Sequence, residues 1–363
     1  MSRSVSGWLT GFFLYDVAEA IDLETVATLT GSTESARMAP KPPAPPYIQY
    51  ANPPVTCEGR TVDAADVDGW HVRFKAFDYG VVSVALTRPL PSTWDGMVTE
   101  GLAWHDHAGL AASAEQACRA FLARVDAALD KPRGVLLSED YLVFSVTAIE
   151  RIRSAEELLV AHGADIAQLL RGEREVLSAQ EREEVLRHRM SYLAADVVIP
   201  TWNAAFIYDT EAGARGVLEI LEFANSQLLE FRYYDGLLDG ELARIYAQLE
   251  RPGWGQNWFD RRFTRAARQV HSLFIEVNEL TDKTENALKV AGDVYAARLF
   301  NLTGARLGLD HWKGTVREKL KTLDDIYRFA VEQTAMTRGE ILELSIVLIL
   351  LFELGLFFAG IMQ

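Results

Sequence analysis

The histidines that could bind a metal lie in one short run, Trp104-His105-Asp106-His107. On a strand, His105 and His107 would point to the same face and could chelate a metal ion together. No third ligand is evident, and such a run before a glycine is more often an exposed loop. Cys57 and Cys118 are too few for a structural zinc site. The sequence therefore predicts no cofactor, and the two histidines are weak metal candidates.

A group of arginines could bind phosphate. Arg261, Arg262, Arg265 and Arg268 are spaced so that they share one face of a helix. The whole chain carries a net charge of -15 and has a pI of about 5.0, which argues against DNA as a partner and against broad RNA contact. Two interpretations stay open: a solvated face that answers acidic neighbours, or a local surface that docks ribosomes.

A polar and aromatic motif interrupts a long apolar helical pattern. Its members are Glu230, Arg232, Tyr233, Tyr234 and Asp235. Asp235 stands where an apolar residue is expected, so its carboxylate needs a donor. It either fixes the register of helix packing or takes part in binding. A pocket beside this motif would favour an enzyme or a small-molecule sensor. The chain has no Gly-rich phosphate loop and no G-x-S-x-G elbow, and this favours a protein that is not an enzyme.

Strands and helices alternate over residues 1–210, which predicts an α/β head domain. Strands are predicted at residues 8–15, 72–77, 81–86 and 141–149, and helices are predicted to start at Ser113, Ser154 and Ser178. Asp78-Tyr79-Gly80 separates two of these strands and predicts a hairpin. Residues 38–54 contain seven prolines and predict a loop or linker.

Three long helices are predicted over residues 211–340. Apolar residues recur at alternating spacings of four and three from Val217 to Leu249, from Phe263 to Val294 and from Val316 to Leu344. This period is typical of coiled coils and not of one helix lying on a sheet. Pro252-Gly253 and the segment from Gly304 to Gly308 are predicted to end the first two helices.

The apolar residues 341–360 are predicted to cross a membrane. A helix of this length rises roughly 30 Å, the thickness of a bilayer core. Glu343 and Glu353 oppose insertion, and Glu353, near the centre, needs a partner or a proton. Gly355 and Ala359 could let two anchors approach each other, or could serve lipid packing alone. The alternative is a buried helix in a soluble bundle.

Several segments, taken in order, resemble the family called "required for meiotic nuclear division", which is also catalogued as a domain of unknown function. They are residues 15–23 (YDVAEAIDL), 77–82 (FDYGVV), 202–205 (WNAA), 224–235 (ANSQLLEFRYYD), 342–344 (LEL) and 352–354 (FEL). Leu344 replaces a tryptophan of that family, and the Pro-rich loop is unusual, so the chain resembles a divergent bacterial member. The resemblance implies a single-pass membrane protein, and mitochondrial members are linked to translation at the inner membrane. It implies no activity for any residue.

The predicted fold is α+β: an N-terminal α/β head, then a long antiparallel coiled-coil helical stalk, ending in a C-terminal transmembrane helix. Lys321, Arg328 and Arg338 precede the span and no basic residue follows it, which places the bulk in the cytoplasm at a bacterial inner membrane, or in the matrix in a eukaryote. The predicted function is a membrane-anchored scaffold or adaptor that forms homo-oligomers and binds a protein partner. The alternatives are a factor that docks ribosomes, and an enzyme or small-molecule sensor in the head.

Overall fold

A seven-stranded sheet organises the first two thirds of the chain. The computed structural model describes residues 3–31, 52–59, 69–105, 108–249, 274–275, 277–278 and 294–358. The strands are β1 (Val5–Asp16), β2 (Ala20–Ile21), β3 (Val55–Glu58), β4 (His71–Ala76), β5 (Val81–Pro89), β6 (Leu129–Asp130), β7 (Leu137–Ile149), β8 (Val197–Pro200) and β9 (Ala204–Tyr208). The sheet order is β3-β4-β5-β1-β7-β9-β8, while β2 and β6 form a separate pair. Only β7 and β9 run parallel among the paired strands described.

Helices lie between the strands along the chain and also form its C-terminal part. They are α1 (Leu23–Thr30), α2 (Trp94–Trp104), α3 (Ala108–Val125), α4 (Ala155–Arg171), α5 (Ala179–Arg187), α6 (Glu211–Leu249), α7 (Val294–Leu307) and α8 (Leu309–Phe358). Ser154 and Ser178 cap α4 and α5 as predicted, each accepting a backbone N–H three residues on. Ser113 does not cap a helix, because α3 already begins at Ala108.

The predicted hairpin joins β4 and β5. The N–H of Phe77 donates to the carbonyl of Val81 at 2.9 Å. Gly80 has a φ of +93°, and a Cβ there would lie 2.0 Å from the carbonyl oxygen of Ala18. Only glycine satisfies both conditions, so the turn packs closely against the chain that leaves β1.

The two faces of the sheet are both buried, and alternate residues of each strand serve each face. One face packs in the hydrophobic core with the first helices, through side chains such as Phe13, Phe74 and Phe144. On the opposite face Phe12 and Lys75 are also buried, and Lys75 contacts Glu222 of α6 there.

The middle of α6 is buried on every side. All twelve residues from Ile220 to Phe231 are buried, and Phe223 packs against Phe300 of α7 with ring centroids 5.7 Å apart. The prediction that this part of the seam does not lie on a sheet is wrong. A spacing of four and three marks any helix with an apolar face, so the period alone could not separate sheet packing from a coiled coil.

The chain divides into two compact units. The first contains Met1–Tyr233 and Leu280–Lys313, and the second contains Tyr234–Glu279 and Gly314–Gln363. In the second unit Leu238, Val316, Leu320 and Leu323 are buried. The predicted domain limits after residues 210 and 340 stay a prediction.

The predicted transmembrane helix is wrong, and the fold is a mixed α+β fold. Among the residues that the structure describes, no helix has a stretch long and apolar enough to cross a membrane. The run between Glu343 and Glu353 in α8 rises only about 14 Å, against about 30 Å for a bilayer core. The predicted tail anchor and the single-pass inner-membrane location are wrong on the same finding, because both rested on this span.

Candidate functional site

Arg232 and Tyr233 are the last residues of α6 that belong to the first unit. Each contacts a charged side chain from the part of the chain that contains the sheet. Arg232 forms an ion pair with Glu139 of β7. Burial raises the pKa of Glu139, and the charge of Arg232 offsets only part of this effect. The arginine therefore compensates a carboxylate that burial disfavours in its ionised form.

Tyr233 takes part in a cation–π contact. The guanidinium carbon of Arg133 lies 4.1 Å from the centre of the Tyr233 ring, well within the range of such contacts. The Nε of Arg133 also lies 3.3 Å from a carboxylate oxygen of Asp16, the last residue of β1. Burial raises the pKa of Asp16, with Arg133 partly offsetting it. One arginine thus joins the end of β1 to α6.

Glu230 and Tyr79 belong to the same buried region. Glu230 is 3% exposed. The hydroxyl groups of Tyr79 and Ser226 lie 2.7 Å apart and share a hydrogen bond. Burial raises the pKa of Tyr79 well above its ordinary value, so its hydroxyl keeps the proton. The hairpin that carries Tyr79 is therefore tied to α6 by a neutral hydrogen bond.

A second buried cluster, which the sequence did not reveal, joins β4 to α6. Lys75 forms an ion pair with Glu222, and Arg73 lies 3.7 Å from the same carboxylate oxygen. Burial alone raises the pKa of Glu222, but Lys75 and Arg73 outweigh it and hold the net pKa below the ordinary value. The sequence did contain a sign of this cluster, because Lys75 lies in an apolar strand and Glu222 lies in an apolar helical run. Their pairing depends on tertiary contact.

Tyr234 and Asp235 belong to the second unit. Lys319 of α8 lies 2.7 Å from Asp235 and 2.6 Å from Asp239. Burial lowers the pKa of Lys319, but the two carboxylates outweigh this effect and raise it. Asp235 therefore has a charged partner, Lys319, which the sequence did not identify, and the ion pair links α6 to α8 within this unit.

An exposed apolar segment occupies residues 346–354 of α8. Its eight large apolar side chains are each 50–68% exposed: Ile346, Val347, Leu348, Ile349, Leu350, Leu351, Phe352 and Leu354. Glu353 lies within the segment and is also exposed. Glu343 lies in α8, but its side chain is outside the described residues. A contiguous exposed apolar patch of this size is unusual on a folded protein.

The remaining predicted site residues divide between the described and the undescribed parts of the chain. His105 follows α2, and its Nε2 lies 2.7 Å from the carbonyl of Leu169, so this nitrogen is occupied by a structural hydrogen bond. His107 and the arginines Arg261, Arg262, Arg265 and Arg268 lie outside the described residues. Within the described ranges, no three His, Cys, Asp or Glu side chains come together as a metal site.

Comparison with known proteins assigns the N-terminal part of the chain to a family. A family model described as "Uncharacterized protein MJ0711, N-terminal domain" matches residues 6–215, which is more than half of the chain. The chain belongs to this family. The match runs from β1 to the first residues of α6, so the exposed segment of α8 lies outside it. No solved structure matches the chain.

A relative with the printed name "Uncharacterized protein MJ0711", from Methanocaldococcus jannaschii, is 25% identical over 196 residues. The alignment covers 54% of this chain and 59% of the relative, so the chain spans less than two thirds of that protein. The predicted resemblance to the "required for meiotic nuclear division" family is wrong. Three of its six short segments, each weak alone, carry the contacts of Asp16, Tyr79 and Arg232 described above, and the family model that matches is a different one.

Proposed function

We propose that the protein is a scaffold or adaptor, and that copies of it associate through residues 346–354 of α8. The observation that carries this proposal is the exposure of eight large apolar side chains on one helix. If each offers on the order of 100 Å², the segment presents about 800 Å², one partner's share of a standard interface and more than most monomers expose.

A second copy of the same chain is the occupant that this segment fits. Ile346 to Phe352 are consecutive, so they point in all directions around the helix. A helix that is apolar all round is normally buried all round, and a bundle of identical helices provides this. Leu348 and Leu351 also continue the spacing of Ile341 and Leu344, which is the spacing of coiled coils.

Association through α8 would make the protein multivalent. Each copy carries the family domain of residues 6–215, so an oligomer presents several such domains together. A partner that binds two of them is held more tightly than by one, without any new contact. This gain is the physical basis of a scaffold.

The test is the molar mass of the full chain, measured by size-exclusion chromatography with light scattering. Wild type is expected at a multiple of 40.5 kDa, and the Leu348→Glu/Leu351→Glu variant at the mass of one chain, because buried charges oppose association. Val160→Glu is the matched control, since Val160 is 84% exposed on α4, and it is expected to keep the wild-type mass. A double variant with the wild-type mass would refute the proposal.

A further inference from the structure

Glu353 is the only charged residue in the exposed apolar segment of α8, residues 346–354. Its side chain is exposed, as are those of its neighbours in the segment. Water therefore solvates this carboxylate in a single chain. Covering the segment with another helix changes the surroundings of Glu353 more than those of any apolar residue beside it, because only this residue carries a charge.

Apolar positions surround Glu353 on its own helix. Residues three and four positions apart are the nearest neighbours on a helix surface. For Glu353 these neighbours are Ile349, Leu350, Leu356 and Phe357. Ile346, seven positions earlier, points within about 20° of the same direction. The exposed fractions of Ile346, Ile349 and Leu350 are 50%, 57% and 58%, so a bundle that covers these side chains also covers Glu353.

A second copy of the segment brings no base to Glu353. From residue 339 to residue 363 the sequence contains no Lys, Arg or His. The nearest base along α8 is Arg338, fifteen residues away, or roughly 22 Å along the helix axis. The ionisable groups that another α8 carries nearest to the segment are Glu343 and Glu353, and both are acidic. Neutralisation by an ion pair is therefore not available within this interface.

A proton is the remaining way to neutralise Glu353 in the assembled state. Burying an ionised carboxylate without a partner is costly, whereas the protonated acid carries no charge and donates a hydrogen bond. Burial and a like charge nearby both favour the protonated form of a carboxyl group. Covering the segment with its own copies supplies both conditions, so protonation and association favour each other.

We propose that association through residues 346–354 takes up a proton at Glu353 of each copy, so that pH regulates assembly. This inference rests on the proposed self-association and adds its regulation. Because the assembled state holds more protons than the separate chains, the association constant falls as the pH rises. Linkage limits the fall to about tenfold per pH unit for each proton taken up. Mildly acidic conditions therefore favour the oligomer.

Sedimentation velocity of the full chain, measured from about pH 6 to about pH 8, tests this dependence. Wild type is expected to associate more weakly as the pH rises. Glu353→Gln resembles the protonated acid at every pH, so it is expected to associate at least about tenfold more tightly than wild type at the upper pH and to lose the pH dependence. Glu183→Gln, which neutralises a 77% exposed carboxylate on α5, is the matched control and is expected to behave as wild type.

Calorimetry of dilution counts the protons directly. Dissociation of the wild-type oligomer is followed in two buffers that differ in ionisation enthalpy, because a released proton adds the heat of protonating the buffer. Wild type and Glu183→Gln are expected to release about one proton per copy, and Glu353→Gln none.

The outcomes separate this inference from the self-association on which it rests. Equal association of wild type at both ends of the pH range would overturn the inference and leave self-association standing. Glu353→Gln that keeps the wild-type pH dependence, or that associates more weakly than wild type, would do the same. Single chains at every pH in both wild type and Glu353→Gln would instead refute self-association, and this inference with it.

Discussion

Lys75 and Glu222 lie 147 positions apart in the chain, and their side chains are only 5% and 1% exposed. Removing two charges from water is costly, and their attraction repays this cost only when the pair is complete. Arg73 lies near the same carboxylate and adds to the attraction. The pair therefore makes the packing of α6 on β4 specific, because any other register leaves a buried charge alone.

Lys75→Met is expected to lower the free energy of unfolding by about 3 kcal/mol, the low end for a broken buried pair, because Arg73 still faces Glu222. The double variant Lys75→Met/Glu222→Leu is expected to recover most of this loss. Urea denaturation measures both. Arg119→Met, which breaks an exposed pair with Glu115, is the control and should cost under about 1 kcal/mol. A double variant as unstable as the single one would contradict the role given to the pair.

Asp16 and Glu222 are expected to change stability with pH in opposite directions. The folded pKa of Glu222 is lowered from its ordinary 4.5, so its contribution is present above pH 4.5 and is lost as the pH falls through the folded pKa. The folded pKa of Asp16 is raised from 3.8, so stability from its neutral form is lost as the pH rises from 3.8 through the folded pKa.

The Asp16→Asn variant tests this sign. Asparagine resembles the protonated acid at every pH, so the variant is expected to gain stability relative to wild type as the pH rises through that window. Urea midpoints measured at several pH values give the difference. A difference that stays constant, or that shrinks with rising pH, would show that the pKa of Asp16 is not raised in the folded protein.

At the scale of elements, the sequence correctly predicted features that depend on contacts between neighbouring residues. The β4–β5 hairpin follows from Asp78-Tyr79-Gly80, and α4 and α5 begin after their serine caps, because these contacts lie within a few residues. The position of β1 between β5 and β7 was not predicted, because the sequence of one strand does not identify the distant strands that pair with it. The polar motif at Arg232 was visible in the sequence, but Glu139, Arg133 and Lys319, which pair with it, were not.

Lys319 joins α6 and α8 in the second unit, through ion pairs with Asp235 and Asp239. Lys319→Met is expected to destabilise this unit by roughly 1–3 kcal/mol, because the half-buried Asp235 loses its charged donor. Asp239→Asn is the milder counterpart, since this side chain is 59% exposed, and should cost under about 1 kcal/mol. Hydrogen exchange of the α6 and α8 amides reports the change locally. Equal protection in Lys319→Met and wild type would contradict this role.

At the scale of the whole molecule, the sequence family and the exposed surface belong to different parts of the chain. The family match ends at residue 215, whereas the exposed apolar segment begins at Ile346. The apolar composition of this segment was read from the sequence as a membrane span. No helix among the described residues is long and apolar enough to cross a membrane, and the exposure of this segment supports the proposed self-association.

Sedimentation velocity of the full chain over a wide range of protein concentration measures self-association through α8. We expect a mass that is a multiple of 40.5 kDa at high concentration and that falls toward one chain on dilution, with Leu348→Glu/Leu351→Glu shifting the transition to higher concentration. A single species of 40.5 kDa at every concentration of wild type would contradict it.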